Sequence, residues 1–365
     1  VTLNIVIKIQ SIALFFIFLL LSMKNQKRTT IYDIAKRLNL AASSVSRALS
    51  NSNKINAATK ELVLKTAVEM NYRQNTMASN LRKGNNPTIG VIVPRINQFF
   101  FSNIIAGLEE ITSKKGYNLL ICQSNELHKT EVNCVHTLMN QHVSCIAISI
   151  AAEAGSYEHL QQVLDSQIQL IQFDRVVEEL DTLKVINDNE QAAYEMVIHL
   201  IGQGYRRIAL LEGPQELRIF QERKRGYISA LKKHGLPVLE ELMYEKAWTK
   251  ELGAQATAAL LDLADPPDAI FASTSDFSAL GVLEVATRKG VNIPEDLGVC
   301  GYSNEPFTAL TNPSITTVDQ HSVKMGEIIG NLYFRELEKP GQANESKIVS
   351  ITSELMMRKS TQRKP

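Results

Sequence analysis

From residue 87 onward, short apolar runs alternate with amphipathic stretches of helical period, and this alternation restricts the fold more than any other feature of the chain. I-G-V-I-V (89–93), N-L-L-I-C (118–122), C-I-A-I-S (145–149) and L-I-Q-F (170–173) read as buried strands. Helical patterns at 104–115, 131–141 and 157–166 separate them. A second series follows: helix 189–202, strand 207–211, helices 221–234 and 252–263, strand 269–272, helix 278–289. Strands joined through helices need crossover connections, and crossovers make parallel sheets. Two series predict two doubly wound parallel-sheet subdomains, with a ligand in the crevice at the carboxyl ends of the strands. Subdomain 1 is expected over about 87–187 and 318–345, subdomain 2 over about 188–317 and 346–360.

The N-terminal part is different material. Residues 23–84 carry twelve Lys and Arg against Asp33, Glu61 and Glu69, a net of +9. Lys8 is the only charge before that segment, and the chain after it carries a net of −9, so the overall +1 hides a basic head on an acidic body. That asymmetry suits a nucleic-acid reader attached to something else, although a solvated basic bundle has the same charge. Four scattered cysteines with no C-x-x-C spacing exclude a disulfide scaffold and a cysteine zinc finger, and fit a reducing compartment such as the cytoplasm. Residues 1–22 hold the only long apolar run, so a polytopic membrane protein is excluded. This run reads as a signal sequence, as an anchor weakened by Asn4, Lys8 and Gln10, or as an extension outside the native protein, with Met23 the true start. The third reading is the one we favour, and no membrane partner is expected.

Within the head (23–74), Thr30 and Asp33 have the spacing of a capping box, and Ile31, Ile34, Ala35 and Leu38 form one apolar stripe. Asn39 suits a left-handed helix end. A second short helix from about 42 to 49 turns Val45, Ala48 and Leu49 inward and Ser43, Ser44, Ser46 and Arg47 outward. Asn56 caps a third helix with Leu62, Val63, Ala67 and Met70 as its stripe. Two short helices at a tight turn outline a helix-turn-helix or a plain helical hairpin. In the first case Ser hydroxyls reach phosphates or base edges and Arg47 forks onto guanine.

T-I-Y-D-I-A-K-R-L-N-L-A-A-S-S-V-S-R-A-L-S, followed by I-N-A-A-T-K-E-L-V-L-K-T-A-V-E-M-N-Y-R-Q-N, resembles the DNA-binding head of the lactose/galactose-repressor (LacI/GalR) family. The resemblance implies DNA contacts from Thr30, Tyr32, Ala42, Ser43, Ser44, Ser46 and Arg47. It also implies a hinge helix and linker at 75–86 carrying Asn75, Ala78 and Leu81. There Leu81 would wedge into the minor groove, with Ala78 against the partner hinge. Alone, that segment reads as a weak helical linker. Ala41 stands where the family usually has a capping Ser, and Ser43 or a neighbour is expected to compensate.

Residues 87–365 resemble the periplasmic-binding-protein-like core of the same family, through I-G-V-I-V-P, F-D-R, G-Y-R-R-I-A-L-L-E-G-P, E-R-K-R-G-Y, I-P-E-D-L-G-V-C-G-Y-S-N-E and P-S-I-T-T-V-D-Q. The resemblance places Phe100 and Phe101 where aromatics stack on ligand, Asp174 where a carboxylate accepts sugar hydroxyls, and Arg223 where a guanidinium forks onto ligand oxygens. Trp248 would form a second wall, and Ser275, Asp276 and Ser303 would complete the effector site. Ser303 departs from the family's usual Asp. Read without the resemblance, Asp276 suits a helix cap, Trp248 the core, and Phe100 and Phe101 the packing between subdomains.

The expected function is a DNA-binding repressor whose operator affinity is set by a small-molecule effector, a sugar or sugar derivative. Two copies would pair through their bodies to place two heads on two half-sites. The C-terminus lacks leucine heptads, which argues against a tail-mediated tetramer. A membrane-tethered or exported sugar-binding protein is the alternative. An enzyme is a third reading, without support from any nucleophile, metal or phosphate-loop motif, and no cofactor is expected.

Overall fold

The computed structural model describes residues 29–72, 86–166, 168–339 and 347–363. The expectations for 1–22 and for Asn75, Ala78 and Leu81 in the hinge lie outside the described residues. The chain divides into two units between Gly84 and Asn85.

The head unit holds α1 (Ile31–Leu38), α2 (Ala42–Leu49) and α3 (Ala57–Glu69). The capping box on α1 is formed. Thr30 N–H donates to Asp33 Oδ2 at 2.8 Å, and Asp33 N–H donates to Thr30 Oγ1 at 3.4 Å. Asn39 ends α1 with φ 49°, a left-handed conformation that Asn tolerates. Asn56 caps α3 by accepting Thr59 N–H at 2.8 Å. Ile34, Ala35, Val45, Ala48, Val63 and Ala67 make the core. Two expectations are corrected here. No side chain caps α2, because its N-cap is Ala41, so neither Ser43 nor a neighbour takes over that bond. Leu62 is half exposed, and Thr66 takes a buried place in the α3 stripe. The face set by Val63, Ala67 and Met70 passes through position 66 and leaves 62 to one side.

The body unit contains a six-stranded sheet in the order β11-β5-β4-β3-β1-β2, all parallel. Its strands are β1 (Thr88–Val93), β2 (Asn118–Gln123), β3 (Cys145–Ile148), β4 (Gln169–Phe173), β5 (Leu183–Asn187) and β11 (Ile348–Ile351). Helices α4 (Phe99–Lys114), α5 (His128–Asn140), α6 (Glu158–Asp165) and α11 (Ser322–Glu338) belong to it. The second sheet is four-stranded and parallel, in the order β7-β6-β8-β9: β6 (Ile208–Leu211), β7 (Met243–Tyr244), β8 (Ala269–Ala272) and β9 (Gly298–Cys300). Around it lie α7 (Asn189–Gly202), α8 (Arg218–Lys233), α9 (Lys250–Leu261) and α10 (Asp276–Lys289). A short antiparallel pair, β10 (Thr317–Asp319) with β12 (Glu354–Met356), lies where the chain passes between the subdomains.

The apolar runs are strands because they bury both faces: β3, β6, β8 and β9 are buried along their whole length. Helices α4 and α11 cross with their backbones in close approach. A Cβ on Gly107 would sit 2.1 Å from the Val323 carbonyl oxygen, and one on Gly326 would sit 2.0 Å from that of Ile104. Only Gly fits at that crossing.

One boundary needs correction. Residues 348–351 were expected in subdomain 2, yet β11 pairs with β5 in the first sheet, so the last crossing follows Ile351. The pairing is long-range and has no trace in local periodicity. Asn187 ties the crossings together, its Nδ2 donating to the Gln320 carbonyl at 3.0 Å and reaching the Ile351 carbonyl at 3.4 Å. Helices α4, α5 and α8 also begin a turn before the expected 104, 131 and 221. In α4 and α8 the added turn buries Phe100, Phe101, Ile219 and Phe220 together, so no single apolar stripe marks it.

Candidate functional site

Two surfaces carry the expected site residues, one on each unit. On the head, α2 presents Ser43 and Arg47 exposed, with Ala42, Ser44 and Ser46 half-buried beside them. Tyr32 on α1 is 71% exposed, unusual for an aromatic with a core nearby to join. The Thr30 hydroxyl is engaged in the capping box, donating to Asp33 Oδ2 at 2.7 Å. Arg37 pairs with Glu69 at 3.0 Å and braces α1 on α3, away from α2.

In the body, a cavity of about 670 Å³ lies between the subdomains. Phe100, Phe101, Asp174, Arg223, Trp248, Ser275 and Ser303 all line it, from segments more than two hundred residues apart in the chain. Asp174 follows β4 at φ 56° and is buried. Burial pushes its carboxyl above the usual range, opposed by the charges of Arg175 and Arg223. Its Oδ2 accepts from Ser149 at 3.4 Å.

Arg223 projects from α8, whose close approach to α7 depends on Gly226: a Cβ there would meet the Glu190 carbonyl oxygen at 2.2 Å. Arg223 Nε donates to Asn189 Oδ1 at 3.0 Å and Nη1 to the Ser273 carbonyl at 2.8 Å. The guanidinium lies 3.6 Å over the Tyr302 ring. A guanidinium held by two hydrogen bonds and a ring face is fixed in direction before any ligand arrives.

Asp276 is corrected. It does not line the cavity; it is fully buried, accepting Thr317 Oγ1–H at 2.6 Å and Glu305 N–H at 2.7 Å. Burial raises its pKa to about 6, and those hydrogen bonds limit the rise. The cap of α10 is Ser275, which accepts Ser278 N–H at 3.3 Å. Its hydroxyl also donates to the Trp248 carbonyl at 3.2 Å, so Ser275 fixes the Trp248 loop. Ser303 Oγ donates to Gln320 Oε1 at 3.3 Å.

Sequence reasoning missed other wall residues. Arg175 pairs with Glu126 through two contacts of 2.6 and 3.3 Å, and both line the cavity. Phe220, Gln320 and Glu305 line it as well. Burial and the nearby Asp276 charge raise Glu305 to about 7, while the Phe99 and Phe100 backbone N–H groups work against the rise. Arg175 in F-D-R, Gln320 in T-V-D-Q and Glu305 in Y-S-N-E each fall inside a motif already singled out, which was the available signal.

The family model for bacterial regulatory proteins, lacI family, matches residues 30–75, and that for the periplasmic binding protein-like domain matches residues 197–361. Over 345 residues the chain is 32% identical to the HTH-type transcriptional repressor CytR of Escherichia coli strain K12, covering 94% of this chain and 99% of that protein. The chain belongs to the lacI family of bacterial regulatory proteins. This LacI-family regulator is similar in structure to the transcriptional regulator CelR in complex with cellobiose, at 25% identity and a TM-score of 0.68, covering 91% of this chain and all of that one. It shares the fold of the lac repressor dimer bound to operator and the anti-inducer ONPF, at 23% identity and a TM-score of 0.78, covering 92% and 99% of the two chains. The regulator is thus a DNA-binding transcriptional repressor with a helix-turn-helix head and an α/β core. An exported or tethered sugar-binding protein is not favoured, because CytR matches through head and body alike. Among the described residues no helix is long and apolar enough to cross a membrane.

Proposed function

We propose that a sugar or sugar derivative binds between the subdomains and sets the affinity of the head for operator DNA. The observation that carries this reading is the pairing of Asp174 and Arg223 in one cavity with Phe100, Phe101, Phe220 and Trp248. A carboxylate accepts hydroxyl protons, a fixed guanidinium donates to ring or anomeric oxygens, and aromatic faces cover the C–H face of a pyranose. The cellobiose complex of CelR supports the same ligand class. Two copies pair through their bodies, as in the lac repressor dimer, and place Arg47, Ser43 and Tyr32 of each head on one half-site. Asn75, Ala78 and Leu81 add contacts to operator DNA, and the repressor acts in the cytoplasm with no catalytic step. Ligand shifts the DNA-competent population only as far as its affinities for the two states differ.

The test is a thermal-shift screen against mono- and disaccharides, cellobiose and ribose included, then operator binding with and without each hit. A ligand at a hundred times its dissociation constant adds about 2.7 kcal/mol to stability. A panel with no hit among sugars and a hit among purines would replace the ligand class.

A further inference from the structure

We propose that Ser278 and Asp276, neither of which lines the cavity, are positioning residues of the effector site. From the first turn of α10, Ser278 sets the Trp248 wall, and Asp276 sets the wall that carries Ser303 and Glu305. The proposal rests on the reading that this cavity takes the effector.

The Trp248 wall is fixed through its backbone. The Ala247 carbonyl accepts Ser278 Oγ–H at 2.7 Å and Thr274 Oγ1–H at 2.9 Å. A carbonyl oxygen has two lone pairs, so these two hydroxyls satisfy it. The Trp248 carbonyl accepts Ser275 Oγ–H at 3.2 Å, and Ala247 N–H donates to the Glu212 carbonyl at 2.9 Å. Peptide groups are planar, so holding the carbonyls on both sides of the Trp248 Cα fixes the direction in which its side chain leaves the backbone.

The same turn holds the second wall. Asp276 Oδ2 accepts Glu305 N–H at 2.7 Å, and Oδ1 accepts Thr317 Oγ1–H at 2.6 Å. Thr317 Oγ1 accepts Asn304 N–H at 3.3 Å in turn. Thr317 opens β10, so this wall is tied to the strand that passes between the subdomains. Two glycines make room for the arrangement. A Cβ on Gly253 would lie 2.7 Å from Ser278 Oγ, and one on Gly301 would lie 2.1 Å from Asp276 Oδ1. Ser278 and Asp276 are both fully buried. Buried polar side chains must be paired, and these two are paired with the loops that carry Trp248 and Glu305. That explains why Asp276 is buried beside the cavity without lining it.

The test uses the full chain with no ligand added. It combines hydrogen exchange at single amides with acrylamide quenching of Trp248, the only tryptophan. The Ala247 amide, on the Glu212 carbonyl, reports the first wall, and the Thr308 amide, on the Glu305 carbonyl, reports the second. In Thr274→Val/Ser278→Ala the Ala247 carbonyl loses both donors. Ala247 exchange should then rise about tenfold and Trp248 quenching about twofold, with the Thr308 amide unchanged. Asp276→Ala should do the converse, raising Thr308 exchange about tenfold and leaving Ala247 and Trp248 unchanged. Val282 and Val285 in mid-α10 should keep wild-type rates in both variants. Should Asp276→Ala not fold, Thr317→Val, of the same shape but without the hydroxyl that fixes Asp276, takes its place. Thr274→Ser/Ser278→Ala, which returns one hydroxyl, should recover most of the Trp248 signal. A wall amide that ignores its own variant would overturn the positioning role. So would exchange that rises equally at Val282 and Val285, or a returned hydroxyl that restores nothing. Neither readout needs an effector, so a sugar screen without hits leaves this result standing, and a wall that fails to respond leaves the sugar reading untouched.

Discussion

Head and body place their candidate site residues by opposite means. In the head, Arg47 and Ser43 stand exposed on an eight-residue helix, and their direction follows from the burial of Val45 and Ala48 on its other face. In the body, Asp174 and Arg223 are buried, and each is oriented by partners distant in the chain, such as Ser149 for one and Asn189, Ser273 and Tyr302 for the other. An exposed contact residue can be removed without structural penalty, while a buried one is at once part of the site and part of the fold.

The largest separation of the two should come from Arg47→Ala. Losing a bidentate base contact costs about 1–3 kcal/mol, and two heads per operator double it, so specific operator affinity should fall at least about thirtyfold. Thermal stability should not move. A footprint identical to wild type would take Arg47 out of base readout. Arg223→Ala should do the converse, weakening effector binding about thirtyfold (~2 kcal/mol for hydrogen bonds to a charged group) and lowering the melting temperature, because Asn189 and the Ser273 carbonyl lose their donor. Operator binding without ligand should survive, as measured by fluorescence anisotropy. Full effector affinity in this variant would displace the ligand from the Arg223 wall.

A pH titration sharpens the contrast further. Asp276 and Glu305 sit at about 6 and about 7, above their ordinary values of 3.8 and 4.5, and Asp174 is raised as well. The folded body holds these protons more tightly than the unfolded chain does. Their contribution to stability is fully present below the ordinary values and is lost as pH rises through about 6 to 7. The body's melting temperature should therefore fall between about pH 5 and about pH 8 on their account. Asp276→Asn should flatten that slope, and an unaltered slope would assign it to other groups. The smallest effect belongs to the head. Ala41→Ser supplies the cap that α2 lacks and should stabilise the head by about 1 kcal/mol in a denaturant titration. No gain would mean that the α2 start is held by the turn from α1 and not by its cap.

Legibility differs between the units for the same reason. The caps Thr30, Asn39 and Asn56 were readable because capping bonds span three or four residues. Phe100, Asp174, Arg223 and Trp248 were readable as a set only through resemblance to a family, since nothing local brings positions 100 and 248 together. Asp276 shows the limit. An acid at the start of a helix suits a cap or a ligand contact, and it proved to be neither; Thr317, forty-one residues away, claimed it.

What the sequence determined alone is the alternation of strand and helix, the basic three-helix head, and the faces that Val45 and Ala48 turn inward. All of these follow from local periodicity, capping and charge. The tertiary structure decided that β11 joins the first sheet, that Thr317 and the Glu305 amide claim the buried Asp276 carboxylate, and that Asn189 and the Ser273 carbonyl hold Arg223. Each of those is a contact between distant segments, satisfying buried polar groups that no local pattern could pair.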